Sequence, residues 1–114
     1  MQLQHQDLHR IDGALIARFS EHHIDAANCD AVFSELIDAV TREQPQLLIV
    51  NFRRVSYLHS IAIGYVVRVR ELVQSYGGEL RLCNLEPQII ETFSIIRVDR
   101  LFNICDTERS ALSA

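Results

Sequence analysis

The sequence predicts a single α/β domain with a mixed, mostly parallel central sheet of about 4–5 strands and with about 3–5 helices packed mainly on one face. Three observations support this class. The chain has 114 residues, 48% of them hydrophobic, which suffices for one core but leaves no room for a separate cofactor domain. After an N-terminal strand pair, helical and strand patterns alternate, as they do in proteins with parallel sheets. Residues 47–50 are apolar at every position, which is typical of a central strand covered on both faces.

An N-terminal hairpin is the first predicted feature. Residues 3–11 and 14–19 alternate loosely between polar and apolar side chains. The dipeptide Asp12-Gly13 between them is typical of tight hairpin turns, because both residues tolerate a positive φ. The two segments are therefore expected to form paired strands.

The first helix follows a polar stretch. Between residues 29 and 40, apolar side chains recur at intervals of three and four, which is the spacing of one helical face. Asp25 or Asn28 is available as the N-cap, because either side chain can accept a backbone hydrogen bond. The helix is expected to end before Gln44-Pro45, since proline disfavours helical geometry in the preceding residue.

The second half of the chain continues the alternation. Residues 61–76 include β-branched residues that suit a strand, but their length and an apolar stripe at helical spacing favour a helix with Ser60 as its N-cap. Gly77-Gly78 ends this helix, since glycine accepts a positive φ. The remaining predicted elements are a strand over 79–84, a helix from Pro87 to about Ile96, a brief strand over 101–104 and a terminal helix capped by Asp106 or Thr107.

Charge composition excludes several classes of function. The chain carries 11 basic and 15 acidic residues, and its net charge of −4 argues against a surface that binds nucleic acid directly. All 11 basic residues are arginine, so neither Schiff-base chemistry nor a lysine-dependent phosphate loop is available. We expect a protein partner, no direct nucleic-acid contact and no cofactor.

The cysteines and the apolar runs predict the compartment. Cys29, Cys83 and Cys105 are far apart and form no CxxC pair, so they are expected to be buried thiols in a reducing cytosol. No segment reaches the roughly 18 consecutive apolar residues that span a bilayer, and the first residues lack the layout of a signal peptide. We expect a cytoplasmic protein without a membrane partner.

The segment 58–64, with the sequence Leu-His-Ser-Ile-Ala-Ile-Gly, leads into the central helix. It resembles the signature of the STAS family, the sulfate-transporter and anti-sigma-factor antagonist domains, in which an apolar residue is followed by Asp, Ser, Ser or Thr, Gly, Leu and Gly. The strand at 47–52, the Gly77-Gly78 turn before 79–82 and the tail at 98–104 match the family in order and spacing. The resemblance covers roughly residues 10–110 and implies one STAS-like domain over residues 1–114, of the single-domain bacterial anti-sigma-factor antagonist type.

The resemblance implies a non-enzymatic regulatory module. Ser60 aligns with the serine that a partner anti-sigma kinase phosphorylates, and Gly64 aligns with the second glycine of the signature. His59, Ile61 and Ala62 depart from it: they stand in place of Asp, a hydroxyl residue and the first glycine. The working hypothesis is that the unmodified form binds an anti-sigma serine kinase, that phosphorylation of Ser60 ends the binding, and that a phosphatase resets it.

The expected partner-binding surface surrounds Ser60. Asp25 loosely matches an acidic residue that family members carry near the switch serine, and its other expected role is that of a helix N-cap. Four arginines either meet an acidic partner surface or the phosphates of a kinase-bound nucleotide, or they form a solvated face; they are Arg53, Arg54, Arg68 and Arg70. The full set of predicted partner-binding residues is His59, Ile61, Ala62, Ile63, Gly64, Asp25, Arg53 and Arg54.

Simpler roles remain open for these side chains. Ser60 has the alternative role of a plain N-cap, and His59 either pairs with a phosphate in a pH-dependent way or is an ordinary loop histidine. His22-His23 with Asp25, and His5 with His9, form weak metal-ligand patterns, for which surface histidines are the better interpretation.

Two other functional classes stay open as well. One is a scaffold or sensor STAS subunit of a signalling complex, which forms a homo-oligomer and is not phosphorylated at Ser60. The other is an enzyme or a ligand carrier, which has the least support. A Ser-His hydrolase in particular is disfavoured, because the sequence contains no G-x-S-x-G elbow.

Overall fold

Strands and helices alternate along the chain after an N-terminal hairpin. The structure is a computed structural model, and it describes residues 1–113. In chain order the elements are β1 (Gln6–Ile11), β2 (Ala14–Phe19), β3 (His23–Ile24), α1 (Cys29–Glu43), β4 (Leu47–Asn51), β5 (Tyr57–Leu58), α2 (Ser60–Ser75), β6 (Glu79–Cys83), α3 (Pro87–Ile95), a 3-10 turn (Asp99–Leu101), β7 (Asn103–Cys105) and α4 (Glu108–Ser113).

The central sheet has five strands in the order β1-β2-β4-β6-β7. β1 and β2 pair antiparallel, and every other neighbour in this sheet is parallel. β3 and β5 form a separate parallel pair of two residues each. The predicted mixed, mostly parallel sheet is therefore confirmed, and so is the hairpin, in which Asp12 and Gly13 both have positive φ (51° and 82°).

The helices cover the two faces of the sheet unequally. Leu48 and Val50 of β4 face the large core that α1, α2 and α3 complete, whereas Ile49 between them faces the opposite side. On that side α4 inserts Ala111 into a smaller apolar cluster. Burying each large apolar side chain contributes roughly 1.5–3 kcal/mol, so β4 anchors both layers. The prediction that the helices pack mainly on one face is confirmed.

Helix α1 ends where the sequence predicts, but its start is stabilised differently from the prediction. α1 ends at Glu43, and Gln44 adopts a left-handed backbone (φ 42°) directly before Pro45. At the start of α1, Asn28 occupies the cap position without a side-chain cap bond, while Asp25 Oδ1 accepts the backbone N–H groups of Ala27 and Asn28 at 2.9 and 3.0 Å. Asp25 therefore stabilises the turn that precedes the helix.

The last strand begins two residues later than the sequence predicts. The structure has a 3-10 turn at Asp99–Leu101 and β7 at Asn103–Cys105, instead of one strand over 101–104. Arg70 Nε donates to the Leu101 carbonyl at 2.7 Å, so a side chain of α2 holds this carbonyl outside the sheet. At α4, Thr107 and Ser110 exchange hydrogen bonds between hydroxyl and backbone N–H, which confirms Thr107 as the cap.

The cysteines differ in accessibility. Cys29 and Cys83 are buried, as predicted, whereas Cys105 at the end of β7 is only partly buried. Burial raises the pKa of the Cys83 thiol to about 12, so this side chain stays protonated and unreactive at neutral pH.

Within residues 1–113, no helix is both long enough and apolar enough to cross a bilayer.

A partly buried polar network attaches α4 to the sheet. Arg18 of β2 donates two hydrogen bonds to Glu108, with Nε–Oε2 and Nη2–Oε1 distances of 2.7 and 2.9 Å. Asn51, at the end of β4, donates its side-chain amide to the same carboxylate. The hydrogen bond from Arg18 is the main cause that lowers the pKa of Glu108 below its ordinary value.

Gly78 packs so closely against its neighbours that a side chain at this position should destabilise the protein. A Cβ at this position would lie 2.9 Å from the Pro45 carbonyl oxygen and equally close to Tyr76 and Val73 side-chain atoms, and the backbone oxygen cannot move cheaply. Gly78→Ala should lower the free energy of unfolding by about 1–3 kcal/mol in urea denaturation. Gly64→Ala is the matched control: nothing lies within 4 Å of its Cβ, so it should stabilise α2 by about 0.5–1 kcal/mol. Equal effects of the two variants would contradict this packing.

The Glu108 network predicts a pH-dependent stability. Glu108→Gln should lower the free energy of unfolding at pH 7 by about 1 kcal/mol, a value that allows for solvent screening of the partly exposed Arg18. The folded-state pKa of Glu108 lies below its ordinary value of 4.5, so this stabilisation is present above that pH and is lost as the pH falls through the folded-state pKa. The difference between wild type and variant should narrow in that range, whereas Glu71→Gln, on an exposed position of α2, should change little at any pH. A difference that stays constant down to low pH would disprove the linkage.

Candidate functional site

The segment before α2 is held by the small β3–β5 pair. The His59 N–H donates to the Ile24 carbonyl at 2.8 Å, and the Ser56 N–H donates to the His22 carbonyl at 2.8 Å. Ile24 and Leu58 are buried in the core beneath this pair. These contacts fix where α2 begins, and they leave its first residue, Ser60, exposed at the surface.

The N-cap of α2 is His59, so the prediction that Ser60 caps the helix is wrong. His59 has an extended backbone (φ −65°, ψ 145°), as a cap requires, and its Nδ1 accepts the Ile61 N–H at 3.1 Å. Its carbonyl accepts the Ala62 N–H at 2.9 Å. Ser60 is the first residue of the helix, and its hydroxyl has no hydrogen-bond partner within residues 1–113. The hydroxyl is therefore accessible and is not needed to hold the helix.

Two large apolar side chains flank Ser60 at the surface. Tyr57 is 47% exposed and Ile61 is 54% exposed. The Tyr57 ring meets His23 and His59 edge-to-face, with ring centroids 6.1 and 6.5 Å apart. Sequence reasoning missed Tyr57, although in a strand of two residues next to buried Leu58 the alternation of side chains points it outward. We call Tyr57, His59, Ser60 and Ile61 the Ser60 surface.

Other predicted partner-binding residues of α2 divide between core and surface. Ala62 and Ile63 are buried, so the expectation that their side chains contact a partner is corrected: they attach the first turn of α2 to the sheet. Gly64 is exposed, and the space around its Cα is open. Of the predicted residues in this helix, Ser60, Ile61 and Gly64 are exposed, so these three are accessible to a partner.

Asp25 lies close to the Ser60 surface in space, although it is 35 residues away from Ser60 in the sequence. It directly follows Ile24, the residue whose carbonyl binds the His59 N–H. The Asp25 N–H donates to Asn28 Oδ1 at 2.9 Å, and its own carboxylate accepts backbone N–H groups, so the side chain is half-buried and engaged. Contact of Asp25 with a partner stays a prediction, while the structure gives it a local role.

The four arginines do not form one surface around Ser60. Arg70 binds the Leu101 carbonyl, and the Arg68 guanidinium lies over the Tyr65 ring at 5.3 Å. Arg53 and Arg54 line a cleft at the carboxyl ends of the strands, to which no residue from 59 to 64 contributes. The interpretation of these arginines as a shared positive surface at Ser60 is therefore corrected, because Arg68 and Arg70 have contacts of their own on α2, whereas Arg53 and Arg54 line the cleft.

The histidines of the weak metal patterns have protein partners instead. His22 Nδ1 contacts the Arg54 carbonyl at 3.1 Å, His5 Nδ1 contacts Glu21 at 3.4 Å, and His9 Nε2 contacts Asp7 at 2.8 Å. Among the residues that the structure describes, no group of three His, Cys, Asp or Glu side chains is placed to hold a metal ion.

Comparison with known proteins identifies relatives over nearly the whole chain. A family model described as STAS domain matches residues 5–111. An anti-sigma F factor antagonist of Paenibacillus polymyxa is 24% identical over 101 residues, which cover 89% of this chain and 86% of the relative. BtrV of Bordetella bronchiseptica, named as a candidate anti-sigma factor antagonist, is 28% identical over 105 residues, which cover 92% of this chain and 89% of the relative.

Solved structures share the fold at low sequence identity. An anti-sigma factor antagonist from Mycobacterium paratuberculosis superposes with a TM-score of 0.82 at 20% identity and covers 95% of this chain and 90% of its own. The unphosphorylated form of the antagonist SpoIIAA has a TM-score of 0.77 at 18% identity, with 95% and 93% covered. A chain of the stressosome, described as a signal integration and transduction hub, has a TM-score of 0.70 at 13% identity, with 94% and 93% covered.

The cap at His59 makes a prediction about stability. His59→Ala should lower the free energy of unfolding by about 1 kcal/mol, because the Ile61 N–H loses its acceptor, whereas His59→Asn and His59→Asp retain an acceptor and should lose little. Urea denaturation of the three variants and wild type in one buffer measures this difference. His23→Ala, at an exposed position outside any cap, is the control. An equal loss of unfolding free energy in His59→Ala and His59→Asn would contradict the role of His59 as the cap.

Proposed function

The chain belongs to the STAS domain family, and on that premise we propose that it is a regulatory protein-binding module of the anti-sigma-factor antagonist type. Its unmodified form binds an anti-sigma serine kinase in the cytoplasm through the Ser60 surface. The kinase phosphorylates Ser60, which ends the binding, and a phosphatase restores the unmodified form. The module itself carries out no catalysis.

The accessible hydroxyl of Ser60 is the observation that carries this proposal. A serine that serves as an N-cap has its oxygen bound to a backbone N–H and is the commoner case at a helix start. Here His59 fills the cap, so the Ser60 oxygen has no such bond and stands exposed. A protein kinase needs an accessible hydroxyl, and the β3–β5 pair holds the segment that carries this hydroxyl in one position.

A phosphate at Ser60 would leave the helix in place and change its surface. It adds about −1.5 to −2 charge at pH 7, and the N-terminus of a helix tolerates negative charge because of the helix dipole. Tyr57 and Ile61 beside it are apolar and exposed. A partner that covers these two side chains would also have to remove water from the phosphate, which is costly without a new counter-charge. Release of the partner follows from that cost.

The names of the two curated relatives support the same class of partner. Each is called an antagonist of an anti-sigma factor, and each aligns with this chain over most of its length. The antagonist SpoIIAA is known in an unphosphorylated and a phosphorylated form, which agrees with a phosphorylation switch on this fold.

A second candidate function is that of a scaffold or sensor STAS subunit. The observation that favours it is a second set of exposed apolar side chains, on α3, at its C-cap and on the 3-10 turn, which contains Ile90, Ile95, Ile96 and Leu101. Ile95 is 72% exposed, and exposed apolar side chains that form one patch mark protein–protein interaction sites. A subunit that self-associates through this group needs no change at Ser60.

Mass spectrometry tests the switch directly. The protein is incubated with ATP and an anti-sigma serine kinase, and its intact mass is measured. Wild type should gain one phosphate, Ser60→Ala should gain none, and Ser94→Ala, which removes another exposed serine, should behave like wild type. Because the hydroxyl is free in the structure, Ser60→Ala should leave stability unchanged within about 0.5 kcal/mol.

Binding measurements complete this test. Ser60→Glu should weaken binding of the kinase by at least about tenfold. Ile61→Ala should also weaken this binding, whereas Ile95→Ala should not. No mass gain in wild type, or an equal gain in Ser60→Ala, would disprove the switch at this residue. A concentration-dependent oligomer that Ile95→Ala abolishes, together with unchanged mass, would favour the scaffold.

A further inference from the structure

A cleft of about 810 Å³ lies over the carboxyl ends of β2, β4 and β6, on the side of the sheet that α4 covers. In parallel α/β sheets this is the end at which ligands are bound, because the loops that leave the strands converge there. The volume lies within the range of about 300–1,000 Å³ that small-molecule sites occupy. No residue of the Ser60 surface lines the cleft, so it is a separate feature of the molecule.

Three arginines line the cleft without a partner for their charge. Within residues 1–113, the guanidinium groups of Arg53, Arg54 and Arg109 form no hydrogen bond and no ion pair, and all three residues are exposed. The carboxylates in the lining are already bound, Glu108 by Arg18 and Asp7 by His9. A chain with a net charge of −4 therefore concentrates uncompensated positive charge at one concave place.

A buried amide fixes the position of this charge. Asn51 is 6% exposed; its Oδ1 accepts the Arg53 N–H at 2.7 Å, and its side-chain N–H donates to Glu108. Glu108 in turn binds Arg18 and directly precedes Arg109 in the first turn of α4. One side chain thus connects the loop after β4, the end of β2 and the start of α4. Such a connection holds the arginine-bearing segments in place before any ligand arrives.

The chemistry of the lining selects the class of ligand. Guanidinium groups bind phosphate and carboxylate through paired hydrogen bonds, and several of them together favour a ligand with more than one negative charge. Phe19 is the only aromatic residue of the lining and is 1% exposed, so the cleft offers no aromatic side chain on which a nucleobase could stack. We propose that this cleft binds a small polyanion that carries phosphate or carboxylate groups and no aromatic ring.

Calorimetric titration of the full chain with pyrophosphate, and separately with citrate, tests this site at low ionic strength. Saturable one-to-one binding of either probe is expected, and the better probe identifies phosphate or carboxylate as the preferred group. The triple variant Arg53→Gln, Arg54→Gln, Arg109→Gln should weaken binding by at least about tenfold. The control triple variant Arg68→Gln, Arg97→Gln, Arg100→Gln removes the same charge at exposed positions outside the cleft and should stay within about twofold of wild type.

Amide chemical shifts locate the bound probe independently of affinity. Pyrophosphate should shift the backbone amide signals of Arg53, Asn84 and Thr107, which line the cleft, and leave that of Ser60 unchanged. The site is disproved if neither probe binds, if both triple variants lose binding equally, or if adenosine diphosphate binds more tightly than pyrophosphate. Because no residue of the Ser60 surface takes part, these outcomes do not depend on whether Ser60 is phosphorylated.

Discussion

Strand β4 is paired on both edges and covered on both faces, and the rest of the molecule is arranged around that constraint. Its backbone is bound to β2 and β6, and its side chains alternate between the core of α1–α3 and the cluster beneath α4. Such a strand can present polar groups to solvent only at its two ends, and its carboxyl end leads into the loop after Asn51. The segment 51–60 leaves from that end and reaches both candidate surfaces, the cleft and the Ser60 surface. Arg53 and Arg54 line the cleft, and Ser60 begins α2.

At the start of α2, His59 caps the helix and Ser60 presents the free hydroxyl, so the two roles belong to separate residues. His59 accepts the Ile61 N–H and has its own N–H bound by the Ile24 carbonyl, so the turn is defined without Ser60. If serine were the cap, modification of its oxygen would remove the acceptor that the helix uses. With histidine in that role, phosphorylation of Ser60 adds charge to the surface while the cap remains. Asp, which the family signature has at this position, also offers a cap acceptor, so the separation of the two roles does not depend on the departure at His59.

Periodicity predicted most of the fold and part of the site. The hairpin, the doubly buried β4, the long α2 and the Thr107 cap follow from patterns within a few residues, and the structure has all of them. The boundary of β7 could not be predicted in this way, because Arg70 binds the Leu101 carbonyl across a separation of 31 residues. Exposed Tyr57 was missed for a related reason: β5 is too short to show an alternating pattern.

The sequence by itself determined the order and type of the main helices and of the five strands of the central sheet, and the segment that carries Ser60. Hydrophobic spacing, glycine and proline act over a few residues, and these signals are present in the chain before it folds. The tertiary structure decided that Ala62 and Ile63 are core residues, that Arg53 and Arg54 turn towards the α4 side, and that an accessible hydroxyl remains at Ser60. Burial and charge pairing depend on contacts between elements far apart in the chain, as the Asn51–Glu108 hydrogen bond across 57 residues illustrates, and no local pattern encodes them.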